Sequence, residues 1–144
     1  MIIAIDPGAG GGIAWRSPHE TIHCVPMPAT VSDIKAFLRA LDGYSIAAWT
    51  ENVGGYMPGN SGPAAVKFAR HVGNIEGLLV GLDIPFQRVA PQTWMKALGT
   101  PPKDKTTRKN WIKSRMQERY PHLKITLKTS DALGILTWAL ERKD

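Results

Sequence analysis

The chain opens on Met1-Ile-Ile-Ala-Ile-Asp6-Pro-Gly8-Ala-Gly10-Gly11-Gly12-Ile13-Ala14-Trp15, and no other stretch restricts the fold as much. Met1 to Ile5 is a short apolar run rich in β-branched residues; its length and abrupt end suit a buried strand better than a helix. Asp6 closes that run. Pro7-Gly8 turns the chain, more glycines follow, and Ile13-Ala14-Trp15 resumes the apolar pattern, which predicts strand, glycine-rich turn, strand. An acid at the end of a central strand is costly to bury unless it is paired or binds a cation. An Asp-Pro-Gly turn also arises for purely local reasons, so Asp6 alone leaves a turn and a metal ligand equally open.

The 144 residues are expected to form a single domain, 1–144, with room for a proper core. A lone cysteine, Cys24, excludes an intrachain disulfide and a thiolate zinc cluster, and its expected role is that of a small buried hydrophobe. It fits a reducing, cytoplasmic setting. No apolar run approaches membrane-spanning length and no leader is expected before the first strand, so no membrane is anticipated; nor is a small-molecule cofactor expected. The net charge of +6 points instead to a polyanionic partner. The charge is concentrated: Lys96 to Lys128 holds ten of the 18 basic residues, against only Asp104 and Glu118. A solvated helix face needs only mixed charge, so this bias favours a surface that contacts phosphates.

Along the chain, Thr21 to Val25 predicts a third strand, making an antiparallel meander with the first two. Ser32-Asp33 is expected to cap a helix running to about Leu41. Ser45 to Thr50 is another apolar run that ends in an acid, Glu51, repeating the arrangement at Asp6. Asn52 to Pro63 is too rich in Gly and Pro for regular structure and reads as a long mobile loop carrying Tyr56 and Met57. Ala64 to Val80 predicts a helix with Val66, Ala69, Gly73, Gly77 and Val80 along one side, its glycines allowing close approach to a neighbour. Pro85 to Val89 predicts a strand, Pro91 to Leu98 a helix opened by proline, and Thr106 to Tyr120 a polar helix ended by Pro121. Thr129-Ser130 is expected to cap a final apolar helix to about Glu141, with Asp131 in its first turn.

Acids in a first helical turn are ordinary because they suit the helix dipole. Asp131 differs in that nearly every residue after it, Ala132 to Leu140, is apolar, so the helix must pack on the sheet. Asp6, Glu51 and Asp131 therefore occupy strand ends and a helix start that can converge. Three such carboxylates repel one another unless they hold a divalent cation, and hard oxygen donors select Mg²⁺ or Mn²⁺ over zinc.

Asp6-Pro-Gly after a strand, a glycine-rich hairpin, Glu51 after the fourth strand and Ser130-Asp131-Ala-Leu on the last helix resemble the RuvC-type Holliday junction resolvases, members of the RNase H-like nucleases. The middle of the chain matches as well: Gly73-x-x-x-Gly77, then a strand, Pro91-x-x-Trp94-x-Lys96, Gly99, a basic stretch and Tyr120-Pro121. The resemblance covers nearly the whole chain in order, and the compactness is similar to that of the viral members.

It implies an RNase H-like α/β fold: a mixed five-stranded sheet, three antiparallel strands plus two further ones, flanked by helices. It also implies structure-selective nicking of four-way or branched DNA by two-metal phosphodiester hydrolysis, with two Mg²⁺ (or Mn²⁺) ions per site. Asp6 would bridge both ions and Glu51 and Asp131 would each hold one. One ion would activate water and the other would stabilise the leaving 3′ oxygen, leaving a 5′ phosphate. Lys96, Lys103, Lys105, Arg108 and Lys109 would contact phosphates, and Tyr56 and Met57 would reach toward unpaired bases at the crossover. Paired cuts imply a homodimer with two-fold symmetry, with Ala64 to Val80 as its candidate interface.

One departure stands out. The family commonly has an acid or a histidine one helical turn before the last aspartate, and Lys128 stands there instead. Lying just before the capped helix, Lys128 is expected close to the cluster, in the favoured role of a cation that assists the chemistry, the other roles being a charge that weakens a second metal and the activity, or a surface lysine with no chemical part. The alternatives are a non-catalytic or weakly active junction-binding protein of the same fold, and an RNase H or transposase-like nuclease without junction preference. A sugar-kinase or actin-like ATPase shares the opening strand, Asp and glycine turn, but needs two such domains and a second phosphate loop.

Overall fold

Alternation along the strands decides the layering. In the computed structural model, which describes residues 1–41, 45–53 and 61–143, β1 spans Ile2–Asp6. Ile3 and Ile5 face one side of the sheet and Ala4 the other, as the two-residue period of a strand requires. β1 pairs antiparallel with β2 (Gly12–Arg16), which pairs antiparallel with β3 (Ile22–Pro26). On its other edge β1 pairs in parallel with β4 (Ala47–Glu51), which pairs in parallel with β5 (Phe86–Val89). The five-stranded sheet runs β3-β2-β1-β4-β5, three antiparallel strands and two parallel ones, as the resemblance implies.

Helices cover both faces. On one side α1 (Val31–Ala40) and α2 (Gly62–Gly81) pack Ile34, Leu38, Ile75 and Leu79 against Ile3, Ile5, Ile13 and Ala48. On the other, α3 (Pro91–Ala97), α4 (Lys105–Arg119) and α5 (Ser130–Glu141) enclose Ala4, Ala14 and Trp49 with Trp94, Ile112, Met116, Leu133, Ile135 and Leu136. Each fully buried Ile or Leu contributes roughly 1.5–3 kcal/mol through the area it removes from water. α5 is buried along nearly its whole length, because its sequence is apolar on all sides. The buried hydroxyls of Tyr120 and Thr137 satisfy each other at 2.8 Å.

Several local expectations are corrected. The cap of α1 is Thr30, whose hydroxyl accepts from the Asp33 backbone N–H at 3.1 Å; Asp33 thus sits in the first turn and does not cap it. α2 starts at Gly62 under a Ser61 cap, so Gly62 and Pro63 belong to the helix and not to the preceding loop. The stripe Val66, Gly73, Gly77 and Val80 does not face the core. Val66 and Val80 are 60% and 66% exposed, and a Cβ on Gly73 or Gly77 would meet nothing within 4 Å. The inward face of α2 runs instead through Phe68, His71, Ile75 and Leu79. Thr129 caps α5 by position but not by a side-chain bond: its hydroxyl is spent on the preceding turn, bonding Thr126.

Candidate active site

Strand parity brings two acids to one face. Asp6 is two residues beyond Ala4, and Glu51 two beyond Trp49, so both share the face covered by α5. The parallel register pairs Ile5 with Thr50, which sets Asp6 beside Glu51 at the carboxyl ends of adjacent strands. This is where the chain runs one way into the β1–β2 hairpin and β4 lies on the other side, the place where open sheets hold their ligands. Asp131, in the first turn of α5, lines the same cleft. The cleft, about 440 Å³, is bounded by the Pro7–Gly11 turn, Val53, Phe68, Met95 and Ile112, with Lys105, Arg108 and Lys109 as its basic wall.

The basic wall follows from helical spacing. Ile112 and Met116 anchor α4 in the core, and Lys105, Arg108 and Lys109 lie one and two turns earlier on the same side. Asp104 starts the helix, accepting from the Thr107 backbone N–H at 2.9 Å. Arg108 is steadied by donating to the Lys103 carbonyl at 2.9 Å.

The three carboxylates hold their protons unusually well. Asp6 is raised well above the usual range, first by burial and then by the charges of Asp131 and Glu51, with Lys109 opposing. Glu51 is pushed up to about 7 by burial and by Asp131, against the lowering effect of a hydrogen bond from Trp94. Asp131 is raised by burial, while Lys109 and Arg108 pull it down. The site is thus a set of oxygen donors that resist carrying their charges together. Among the described residues no group of three or more Asp, Glu, His or Cys side chains is gathered closely enough to hold a metal ion by itself. Mg²⁺ does not need one: it keeps several waters and is commonly bound by one or two carboxylates plus substrate phosphate. An open, all-oxygen, mutually repelling donor set fits such a cation.

The turn after Asp6 is fixed from behind by α2. Gly8 has φ +109°, a conformation that strains any residue with a side chain, and its N–H donates to His71 Nδ1 at 3.0 Å. Phe68 lies against the same glycine, leaving about 3.2 Å to an added Cβ. Sequence reading did not single out Phe68, His71, Val53 or the role of Trp94. The three-and-four spacing of Phe68, His71 and Ile75 was the available signal.

Of the other expected site residues, Lys96 and Lys103 line an adjoining depression, joined to the cleft through Arg108, Pro91 and Met95. Tyr56 and Met57 lie outside the described residues. Lys128, expected beside the cluster, is exposed and does not line the cleft. The cations that act on the carboxylates are Lys109 and Arg108. The Lys128 backbone nonetheless lies against Gly12, the partner of Asp6 across the β1–β2 hairpin.

A scan against protein-family models and a search of curated proteins find no match. Solved structures do match. Thermus thermophilus RuvC in complex with a Holliday junction substrate aligns with a TM-score of 0.64 at 16% identity, over 96% of this chain and 92% of that one. The chain has the RuvC-type fold. A further T. thermophilus RuvC structure aligns with a TM-score of 0.56 at 16% identity, over 96% and 92% of the two chains. The Fowlpox virus resolvase in complex with its substrate Holliday junction DNA gives 0.51 at 11% identity, over 98% and 99%. In this chain the carboxyl ends of β1 and β4, where Asp6 and Glu51 stand, open onto the cleft. The chain also leaves the Val66–Gly73–Gly77–Val80 side of α2 uncovered within one copy.

Proposed function

We propose that this chain is a Mg²⁺- or Mn²⁺-dependent endonuclease that nicks four-way DNA junctions. One observation carries the reading: Asp6, Glu51 and Asp131 share a cleft whose other wall is Lys105, Arg108 and Lys109. An acidic floor beside a basic wall is what a phosphodiester needs if a cation is to sit between the carboxylates and its phosphate. Likeness to RuvC and to a viral resolvase, both with junction DNA, supports the choice of substrate.

Asp6, Glu51 and Asp131 would hold the divalent ions. When bound, such ions supply Lewis-acid activation of water and stabilisation of the leaving 3′ oxygen, giving a 5′ phosphate and a 3′ hydroxyl. Lys109 and Arg108 orient the scissile phosphate and offset the charge it develops. Lys105, with Lys96 and Lys103 in the adjoining depression, carries the neighbouring phosphates. His71 and Phe68 keep the Asp6–Gly8 turn from shifting under that load. Paired symmetric nicks need two sites, and the uncovered stripe of α2 supplies a surface where a second copy can pack closely on Gly73 and Gly77. Sedimentation of the protein as a monomer at concentrations that resolve junctions would rule this arrangement out.

The deciding experiment incubates the protein with labelled four-way junction, linear duplex and RNA–DNA hybrid, with and without Mg²⁺. Paired nicks in the junction alone, and only with Mg²⁺, are expected; equal cutting of duplex or hybrid would replace the junction by a broader substrate. Binding has its own expected signature. Replacing Lys103, Lys105 and Lys109 by Ala should flatten the salt dependence of junction affinity by about 0.9 log units for each phosphate that is no longer neutralised. Lys128→Ala, on the exposed turn, should match the parent in both slope and rate. A reversed result would move the DNA to the other side of α5.

A further inference from the structure

Trp94 sits in the first turn of α3, in Pro91-Gln-Thr-Trp94, and its indole is fully buried. A buried indole N–H requires an acceptor. The acceptor here is a carboxylate of the site: Trp94 Nε1 donates to Glu51 Oε2 at 2.7 Å, the short distance typical of a bond to a charged oxygen. Among the described residues Trp94 is the one side-chain donor to Glu51. The ring cannot readily move away. Gly134 of α5 lies flat against it, so closely that a Cβ there would come within 2.6 Å of the ring carbon Cζ3. The ring belongs to the core cluster that also holds Val89 and Leu133, with Met95 packed against it.

A glutamate reaches its ligand through three rotatable bonds, and each unfixed rotamer costs affinity when it must be frozen. Glu51 also closes a strand, immediately before residues 52 and 53, so its backbone alone does not fix the carboxylate. We propose that Trp94 is a positioning residue: its indole N–H holds Oε2 of Glu51 from the core side, so that the carboxylate meets a divalent cation in one fixed orientation. This rests on the reading of Glu51 as a metal ligand. It assigns a task to a tryptophan that packing alone would not demand, since a phenylalanine could fill much of the same space without a polar atom to satisfy.

Trp94→Phe keeps an aromatic ring against Gly134 and removes the N–H. The Mg²⁺ concentration needed for half-maximal junction cleavage is expected to rise about 10- to 100-fold, the usual cost of losing a partner that orients a ligand. Junction affinity measured without divalent ions should stay at the parental value, because no phosphate-binding group is touched. A tryptophan that merely filled the core would lower the melting temperature without changing the Mg²⁺ requirement of the protein that remains folded.

A second measurement needs no variant. In the ¹H–¹⁵N spectrum of the parent, the Trp94 indole resonance should shift as Mg²⁺ saturates the protein in the absence of DNA. An indole resonance that stays put while Mg²⁺ binds overturns the proposal, as does a Trp94→Phe protein that cleaves like the parent at every Mg²⁺ concentration. If the parent itself neither binds Mg²⁺ nor nicks the junction, the nuclease reading has failed and this role falls with it. The parental controls therefore separate the two failures.

Discussion

Asp6→Asn is expected to lower Mg²⁺-dependent junction nicking by about three orders of magnitude, since a metal-assisted step draws several kcal/mol from its ion and each 1.36 kcal/mol is tenfold in rate. Glu51→Gln and Asp131→Asn should fall in the same range. Junction binding should persist in all three, because the substitutions remove ligands and leave Lys105, Arg108 and Lys109 in place. Removing a negative charge from beside a phosphate path should, if anything, tighten binding. The measurement is a pair of assays on each variant, single-turnover nicking and gel-shift affinity, with a melting curve to show that the fold is kept. Near-parental nicking by any one variant would take that residue out of the site. Loss of binding in step with loss of nicking would mean that the acid supports the basic wall and not the chemistry.

The amides are chosen because they keep shape. Asp6 ends β1 opposite Gly12, and its carboxylate lines the cleft with Glu51 and Asp131. Alanine there would open a gap and confuse lost chemistry with lost packing. Asparagine keeps the volume and the hydrogen-bonding capacity and changes only the charge.

Much of this site was legible in the sequence because strand length and parity carry direction. An apolar run that stops at an acid tells which residue stands at the sheet's edge, and this holds for Ile2–Asp6 and for Ala47–Glu51 alike. The apolar stretch after Asp131 showed that its helix had to be buried, and a buried helix brings its first turn to the sheet. What was not legible depended on rotation about a helix axis. On α2 the expected stripe was Val66, Ala69, Gly73, Gly77 and Val80, while the side that packs inward holds Phe68, His71, Ile75 and Leu79. Only packing shows that the sheet takes the second, where larger side chains fill the volume. Lys128 is a different case: its backbone carbonyl lies against Gly12, beside Asp6, while its side chain is exposed on the Thr126–Thr129 turn that the Thr129 hydroxyl holds. Trp94 was visible as part of a motif, but its partner stands 43 residues away in sequence, and no local pattern could join them.

The raised proton affinities of the acids make a second large effect, on stability instead of rate. In the metal-free protein Asp6, Glu51 and Asp131 all bind protons more tightly than free carboxylates do. Between the ordinary carboxylate range and their folded values, the native state therefore holds more protons than the unfolded chain. Stability from these groups is complete below about pH 4 and is lost as pH rises through the folded values, for Glu51 through about 7. For Glu51 the loss amounts to roughly 3 kcal/mol at most, at about 1.36 kcal/mol per pH unit, or about 6–12 °C in melting temperature for a chain of this size. His71 acts in the opposite sense, since burial lowers its proton affinity and it costs stability as pH falls. The clean observable is therefore a difference. Glu51→Gln should melt higher than the parent at pH 8 without divalent ions, and the gap should close by about pH 5, with the His71 contribution cancelling. Mg²⁺ should raise the parental melting temperature at pH 8, where the carboxylates are charged and repelling, and should do little at pH 5, where protons occupy the same oxygens. It should do less for Glu51→Gln at either pH. Identical melting profiles for parent and variant, or a parent indifferent to Mg²⁺ at pH 8, would show that the cluster is not held apart by its own charge and that no cation is needed to bring it together.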